Sequence, residues 1–158
     1  MAKCYTQEYG IDYEETFAPV ARLTTIHTLI AVAAARHWSL FQMDMKNAFI
    51  NGDLNDKIHM WPPPGFSHPP HKVCRLRHAL YGLKQAPHAW FAKFSSTLHS
   101  LGFISSSHDS ALFLQRTVAD TILILLYVDD MIITGDDLDG ILLIKFEMKD
   151  LTKTLGHY

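Results

Sequence analysis

The chain has little cysteine: two residues, Cys4 and Cys74, in 158. That excludes a disulfide framework and agrees with a reducing compartment. No apolar run approaches the ~18 residues needed to cross a bilayer, so no membrane partner is expected. The opening MAKCYTQEYGIDYEETF is polar and lacks the pattern of a secretory signal. Charge of one sign is scarce too. The formal net charge is -2, so charge alone does not point to nucleic acid, and any basic surface must be local. Proline is concentrated in one place: five of the seven fall in WPPPGFSHPPH, Trp61 to His71, which must be a loop or extended connector. There is no internal repeat and no low-complexity tract. What remains is 48% hydrophobic and 19% charged, enough to fill the core of about one domain.

Apolar periodicity divides the chain. TTIHTLIAVAAARHW (Thr24 to Trp38) places Ile26, Leu29, Ile30, Ala33, Ala34 and His37 on one helical face, with Thr24 or Thr25 available as cap. SLFQMDM (39–45) alternates as a strand does: Phe41, Met43 and Met45 point one way, and Leu40, Gln42 and Asp44 the other. VCRL (73–76) is a short strand candidate. A second helix begins near Ala86-Pro87, with an apolar stripe of Trp90, Phe91, Phe94, Leu98 and Leu101, and Gly102 ends it. ALFLQR (111–116), a polar turn (117–120) and TILILLYV (121–128) form a hairpin. MIIT (131–134), closed by Gly135, makes the next strand. This order predicts an α+β fold in which an antiparallel sheet packs on helices.

The strand pattern puts Asp129 and Asp130 directly after the apolar run Ile122 to Val128, at a tight hairpin turn. Carboxylates inside such a run cost several kcal/mol each unless something compensates. Asp44 ends another strand. If those strands are neighbours, three carboxylates converge at one sheet edge and repel one another unless a cation is present. Two Mg²⁺ ions, or Mn²⁺, would satisfy hard-oxygen ligands and serve in-line phosphoryl transfer. Simple solvation of turn acids is the other reading. His68, His71 and Cys74 are compactly spaced, but prolines separate the histidines and no fourth ligand is evident, so zinc is not expected.

Several blocks together resemble a known family. YVDD (Tyr127 to Asp130) resembles the catalytic box of reverse transcriptases. QMDMKNAFINGDL (Gln42 to Leu54) and ALYGLKQAPHAW (Ala79 to Trp90) resemble the first and second motifs in their copia-type form. ETFAPVARLTTI (Glu15 to Ile26), PPGF (Pro63 to Phe66) and FEMKDL (Phe146 to Leu151) are similar to the same family, in its order. The resemblance is to a copia-type LTR-retrotransposon reverse transcriptase, a segment of a Pol polyprotein.

The resemblance implies the palm and partial fingers of a right-hand polymerase. Residues 1–40 would be partial fingers and entry to the palm. Residues 41–158 would be the palm core, with a fingers-type segment inserted around 55–80. Asp44, Asp129 and Asp130 would be the catalytic acids, and the carbonyl of Met45 a further metal contact. Phe49, five residues after Asp44, stands at the sugar gate, and Gly82 allows close approach of nucleotide and template. Tyr127, Lys84, Arg75 and Arg77 are candidates for contacts with nucleic acid. Lys149 resembles a lysine that protonates pyrophosphate. The implied partners are an RNA or DNA template-primer, deoxynucleoside triphosphates and the rest of the polyprotein. The family works in a cytoplasmic particle, inside the cell.

The chain departs from the pattern in places. DDLDGILLIK (Asp136 to Lys145) is compressed relative to the family, which predicts a disturbed outer helix and puts Lys149 in doubt. His88 stands where the family often has Arg, so a fixed cation is lost. No thumb, primer grip or RNase H segment is recognisable. The chain therefore reads as an internal slice of a nucleotidyltransferase, expected to be inactive alone. An inert remnant that at most binds metal or nucleic acid, and an unrelated metal-dependent phosphohydrolase, are the rival readings.

Overall fold

The computed structural model describes residues 7–55, 57–62, 64–65, 67, 69 and 71–153, with side chains through residue 149. Cys4, His68 and the ends of the PPGF block (Pro63 and Phe66) lie outside the described residues. The elements run α1 (Leu23–Arg36), β1 (Ser39–Asp44), a 3₁₀ turn (Ala48–Asn51), β2 (His59–Met60), β3 (Cys74–Arg75), α2 (Ala86–Ser100), β4 (Ile104–Ser105), β5 (Leu112–Arg116), β6 (Thr121–Tyr127), β7 (Asp130–Gly135) and α3 (Leu138–Lys153). The chain divides into two compact units. One, here the loop unit, comprises Met1–Ala18 and Phe49–Lys93; the other, the sheet unit, comprises Pro19–Ala48 and Phe94–Tyr158. The fold is thus mixed, with an antiparallel sheet and three helices; the periodicity predicts the sheet, α1 and α2, while α3 stands where the resemblance implies an outer helix.

The sheet unit carries five strands in the order β1-β7-β6-β5-β4. Every neighbouring pair is antiparallel. The predicted alternation of β1 holds: Met43 and Met45 are buried, while Gln42 and Asp44 are exposed. One face is a continuous apolar surface. Phe41 lies opposite Ile133, Ile133 opposite Ile124, and Ile124 opposite Phe113. Ile133, Ile124 and Phe113 have no exposed surface. Burying each such side chain contributes ~1.5–3 kcal/mol. From α2, Phe94 meets Phe113 edge-on at 5.7 Å between ring centroids. The other face carries Leu125, Leu112, Leu123 and Ile132, which cluster with Ala21, Ile26 and Leu29 of the α1 region.

Two predictions about helices need correction. Arg22, not Thr24 or Thr25, is the N-cap residue of α1, and no side-chain cap bond comes from it. The cap therefore lies two residues before Thr24, and Thr25 is inside the first turn. Its hydroxyl donates to Asp109 Oδ2 at 2.6 Å, and the Arg22 N–H donates to the same oxygen at 2.9 Å. Asp109, far along the chain, therefore does the capping. The buried stripe of α1 is also narrower than predicted: Leu29 and Ala33 are buried, Ile30 is 42% exposed and His37 is the left-handed C-cap, with φ 57. The second correction concerns the compressed segment. It does not disrupt the outer helix: α3 runs unbroken from Leu138 to Lys153, and Ile141, Ile144 and Met148 are buried. Spacing of three and four residues keeps those side chains on one face. Asp137 caps the helix, accepting the Gly140 N–H at 2.8 Å.

In the loop unit, β2 and β3 are only two residues each. Its core is Ile58, Ala79, Leu83, Ala86 and Ala89, with Phe49, Leu54, Leu76 and Leu80 packed against it. Backbone bonds stitch distant segments: Ala79 N–H to the Gly52 carbonyl at 2.9 Å, and Leu54 N–H to the Arg77 carbonyl at 3.0 Å. At Gly52 a Cβ would lie 2.7 Å from the Trp90 nitrogen and 2.8 Å from the Ala89 carbonyl carbon, so only glycine fits there.

Candidate functional residues: a carboxylate row in the sheet unit and an aromatic pair in the loop unit

The acids occupy one end of the sheet. Tyr127 pairs with Asp130, so Val128 and Asp129 form a two-residue hairpin turn. Val128 has φ 61. Two-residue hairpins demand positive φ and normally use Asn or Gly there; a β-branched residue in that region is strained. Asp44 is the register partner of Asp130 across β1 and β7. Asp44, Asp130 and Tyr127 therefore form one cross-strand row, and cross-strand partners share a face. The Met45 N–H donates to the Asp129 carbonyl at 2.9 Å, tying the turn to the end of β1. Gln42 Nε2 lies 3.4 Å from Asp130 Oδ1, an interaction that strand alternation alone did not suggest.

The setting differs from a charge buried within a strand. Asp44 is exposed, and Asp129 and Asp130 are half-buried. Water compensates them in part. Among the described residues no ion pair reaches any of the three; both ion pairs present belong to Asp53. Nor do three His, Cys, Asp or Glu side chains among the described residues converge closely enough to hold a metal ion. The oxygen donors that could bind a hard cation here are these carboxylates and the Met45 carbonyl. That carbonyl accepts the Ala48 N–H at 3.0 Å and keeps a second lone pair.

The remaining sequence candidates fall as follows. Tyr127 is 49% exposed beside the acids. Lys149 is exposed on α3. In the loop unit, Phe49 stands in the 3₁₀ turn with its ring 4.9 Å from that of Tyr81, tilted by 54°. Gly82 has φ 94, which glycine adopts without penalty. Arg75 and Arg77 are exposed. Lys84 is half-buried and already engaged: its ammonium donates to the Gln7 carbonyl at 3.2 Å and the Tyr13 hydroxyl at 3.1 Å, and sits 4.8 Å from the Tyr13 ring centroid. Tyr81 lay within a quoted motif but was not singled out; Gln7 carried no recognisable signal.

Two carboxyl groups are held below their ordinary range. Glu15, in the ETFAPV block, accepts the Phe17 N–H at 2.8 Å and the Thr16 N–H at 3.0 Å; the Phe17 bond is the main cause of its lowered pKa. For Asp109 burial pushes upward, but the Thr25 hydroxyl and the Arg22 and Ala111 N–H groups together outweigh it. A cleft of about 300 Å³ lies along α1 beside Asp109, lined also by Leu29, Leu112 and Leu123; none of the three acids lines it.

The family described as reverse transcriptase (RNA-dependent DNA polymerase) matches residues 1–156. The chain belongs to that family. Among curated relatives of this reverse transcriptase segment, the retrovirus-related Pol polyprotein from transposon RE2 of Arabidopsis thaliana is 46% identical over 139 residues, 87% of this chain and 10% of that protein. Its counterpart from transposon RE1 of the same plant is 45% identical over the same shares. That from transposon TNT 1-94 of Nicotiana tabacum is 41% identical over 160 residues, 96% of this chain and 12% of that protein. These are copia-type elements. The reverse transcriptase segment thus spans about a tenth of the length of the curated relatives it matches. No solved structure matches it.

Proposed function

We propose that the sheet unit is the palm, and the loop unit part of the fingers, of an RNA-directed DNA polymerase acting within a Pol polyprotein. The reaction is template-directed addition of deoxynucleotides to a primer 3′-OH. The observation that supports it best is the register of Asp44 with Asp130 beside the Val128-Asp129 turn. Two backbone segments thereby present three carboxylates at one sheet end with no cation of the described residues paired to them. In this reading Asp44, Asp129 and the Met45 carbonyl hold two Mg²⁺ ions, or Mn²⁺, with Asp130 beside the primer end. The ions supply stabilisation of charge on the attacking and leaving oxygens. Tyr127 borders the primer end, and Arg75 and Arg77 bind backbone phosphates. Phe49 excludes the ribose 2′-OH by volume, Gly82 lets the nucleotide approach the backbone, and Lys149 is the proton donor to pyrophosphate. Lys84 is better understood as a brace, since Gln7 and Tyr13 occupy its ammonium.

A second reading, binding of metal or nucleic acid without catalysis, is favoured by one observation: the three carboxylates do not converge into a ligand set. Primer extension on an RNA template by the polyprotein that carries this segment separates the two. The first reading expects deoxynucleotide addition that Asp44→Asn abolishes while thermal unfolding is unchanged. Extension that survives this substitution would overturn it. No extension, with Mn²⁺ binding that Asp44→Asn weakens, would favour the second.

A further inference from the structure

Phe49 does not stand alone. Its ring is 4.9 Å from that of Tyr81, and the 54° tilt is a geometry favourable to aromatic pairs. The two side chains come from separate stretches, the 3₁₀ turn Ala48–Asn51 and the loop before α2. Both stretches are pinned. On the Phe49 side, its carbonyl accepts the Gly52 N–H at 3.0 Å, and the Gly52 carbonyl accepts the Ala79 N–H at 2.9 Å. Thus Gly52 links the Phe49 turn directly to the loop segment that leads into Tyr81.

On the Tyr81 side, the Leu83 N–H closes a turn on the Leu80 carbonyl at 3.1 Å, with Gly82 at φ 94 supplying the bend. The next residues are clamped by residues 7–13. The Lys84 N–H donates to Gln7 Oε1 at 2.9 Å, Gln7 Nε2 donates to Gln85 Oε1 at 3.0 Å, and Gln85 Nε2 donates to the Asp12 carbonyl at 3.1 Å. Gln85 is only 3% exposed, so these bonds work where water competes poorly. The loop is held as a fixed frame. Tyr81 itself is 39% exposed, so its ring is not there to fill the core.

We infer that Tyr81 is a specificity-determining residue, a backstop that fixes the Phe49 ring and so sets how strictly the site rejects a ribose sugar. This rests on the reading of Phe49 as the sugar gate. A gate that rejects by volume works only if it cannot swing aside. Phe49 has two side-chain torsions, and a free ring would rotate away from an extra hydroxyl. Tyr81 blocks that escape, because its own loop is braced from both ends. The contact is ring on ring. Phenylalanine at position 81 should therefore serve as well as tyrosine, whereas a flexible aliphatic chain should not.

The test measures incorporation of dTTP against UTP by the polyprotein carrying this segment, for the unaltered protein and for Phe49→Ala, Tyr81→Leu, Tyr81→Phe and the Phe49→Ala/Tyr81→Leu double variant. Phe49→Ala should remove most discrimination. Tyr81→Leu should lower it about tenfold, mainly by improving kcat/KM for UTP while that for dTTP is kept. Tyr81→Phe should restore it, and the double variant should equal Phe49→Ala alone, because a backstop has nothing to support once the gate is gone. If Phe49→Ala relaxes selection and Tyr81→Leu does not, the inference fails and the gate reading stands. If Phe49→Ala changes nothing, the gate reading fails and the inference with it. Equal loss of dTTP and UTP use in Tyr81→Leu would show a merely structural role and overturn the proposal, as would absence of any synthesis by the unaltered protein.

Discussion

Asp44 faces Asp130 because a ladder of backbone hydrogen bonds across β1, β7 and β6 puts it there. Phe49 faces Tyr81 for another reason: a glycine with no room for a side chain and a set of amide bonds from Gln7 and Gln85 hold two loops in place. The difference teaches where each part of the molecule is vulnerable. A ladder is indifferent to most side chains as long as the buried face stays apolar. A loop frame depends on particular side chains and on particular absences of them. On the proposed function, the chemistry would sit on the ladder and the selectivity on the frame.

The largest effect expected separates charge from scaffold. Asp129→Asn should lower deoxynucleotide addition on the order of 10³-fold, about 4 kcal/mol in the barrier, and weaken Mn²⁺ binding. Its melting temperature should stay within about a degree, since the backbone carbonyl, not the carboxylate, bonds to Met45. A drop in stability as large as the drop in rate would show that the acid belongs to the scaffold. Next, Ile133→Ala removes a fully buried side chain from the central strand β7. It should cost about 2–5 kcal/mol, read from the urea midpoint, with the loss confined to the sheet unit. Gly52→Ala tests the frame instead. The new methyl meets backbone of Trp90 and Ala89, and should cost about 1–3 kcal/mol. Hydrogen exchange should rise at Phe49 to Tyr81 and stay unchanged in β6 and β7. Uniform exchange across both units would abolish the distinction between ladder and frame.

The smallest effect concerns pH. The folded-state pKa of Asp109 lies below the unfolded value of ~3.9. Its contribution is therefore complete above about pH 4 and is lost as pH falls through the folded value. Asp109→Asn should lower stability at pH 7 by about 1–2 kcal/mol, through weaker bonds to Arg22 and Thr25. It should also flatten the fall in urea midpoint between pH 5 and pH 3. An unchanged slope would mean that other carboxylates carry the acid sensitivity.

How far this was legible beforehand depends on the range of the interaction. The alternation of β1 and the helix at Ala86 are local patterns legible in the residues alone; the hairpin turn expected at Asp129-Asp130 lies one residue earlier, at Val128-Asp129, because Asp130 pairs with Tyr127 and begins β7. The neighbouring of β1 and β7 was a conditional, and the structure supplies it. The cap of α1 was misread because its acceptor, Asp109, lies 87 residues from Arg22, and no local rule looks that far. Of the short strands, β3 falls inside the predicted 73–76 segment, whereas β2 and β4 gave no signal because two residues have no period to detect. At the site, the acids announced themselves as charges after an apolar run. Tyr81 did not, because an aromatic residue in a loop has no signature until its neighbour is known.

The register between β1 and β7 has a consequence in time. The hairpin of β6 and β7 closes over two residues, which takes ~1–10 μs. Gln42 and Asp130 are 88 residues apart, and their strands must meet by a long loop closure whose entropy is lost before contacts repay it. As a ribosome delivers the chain, β1 emerges first and waits. Asp129 and Asp130 then fold onto their hairpin within microseconds of appearing, while Asp44 joins only when β1 docks. The carboxylate row is therefore among the last features to assemble. Until it does, Leu40, Phe41 and Met43 are offered to any passing strand, which makes slow synthesis and crowded neighbours the conditions under which this chain should aggregate.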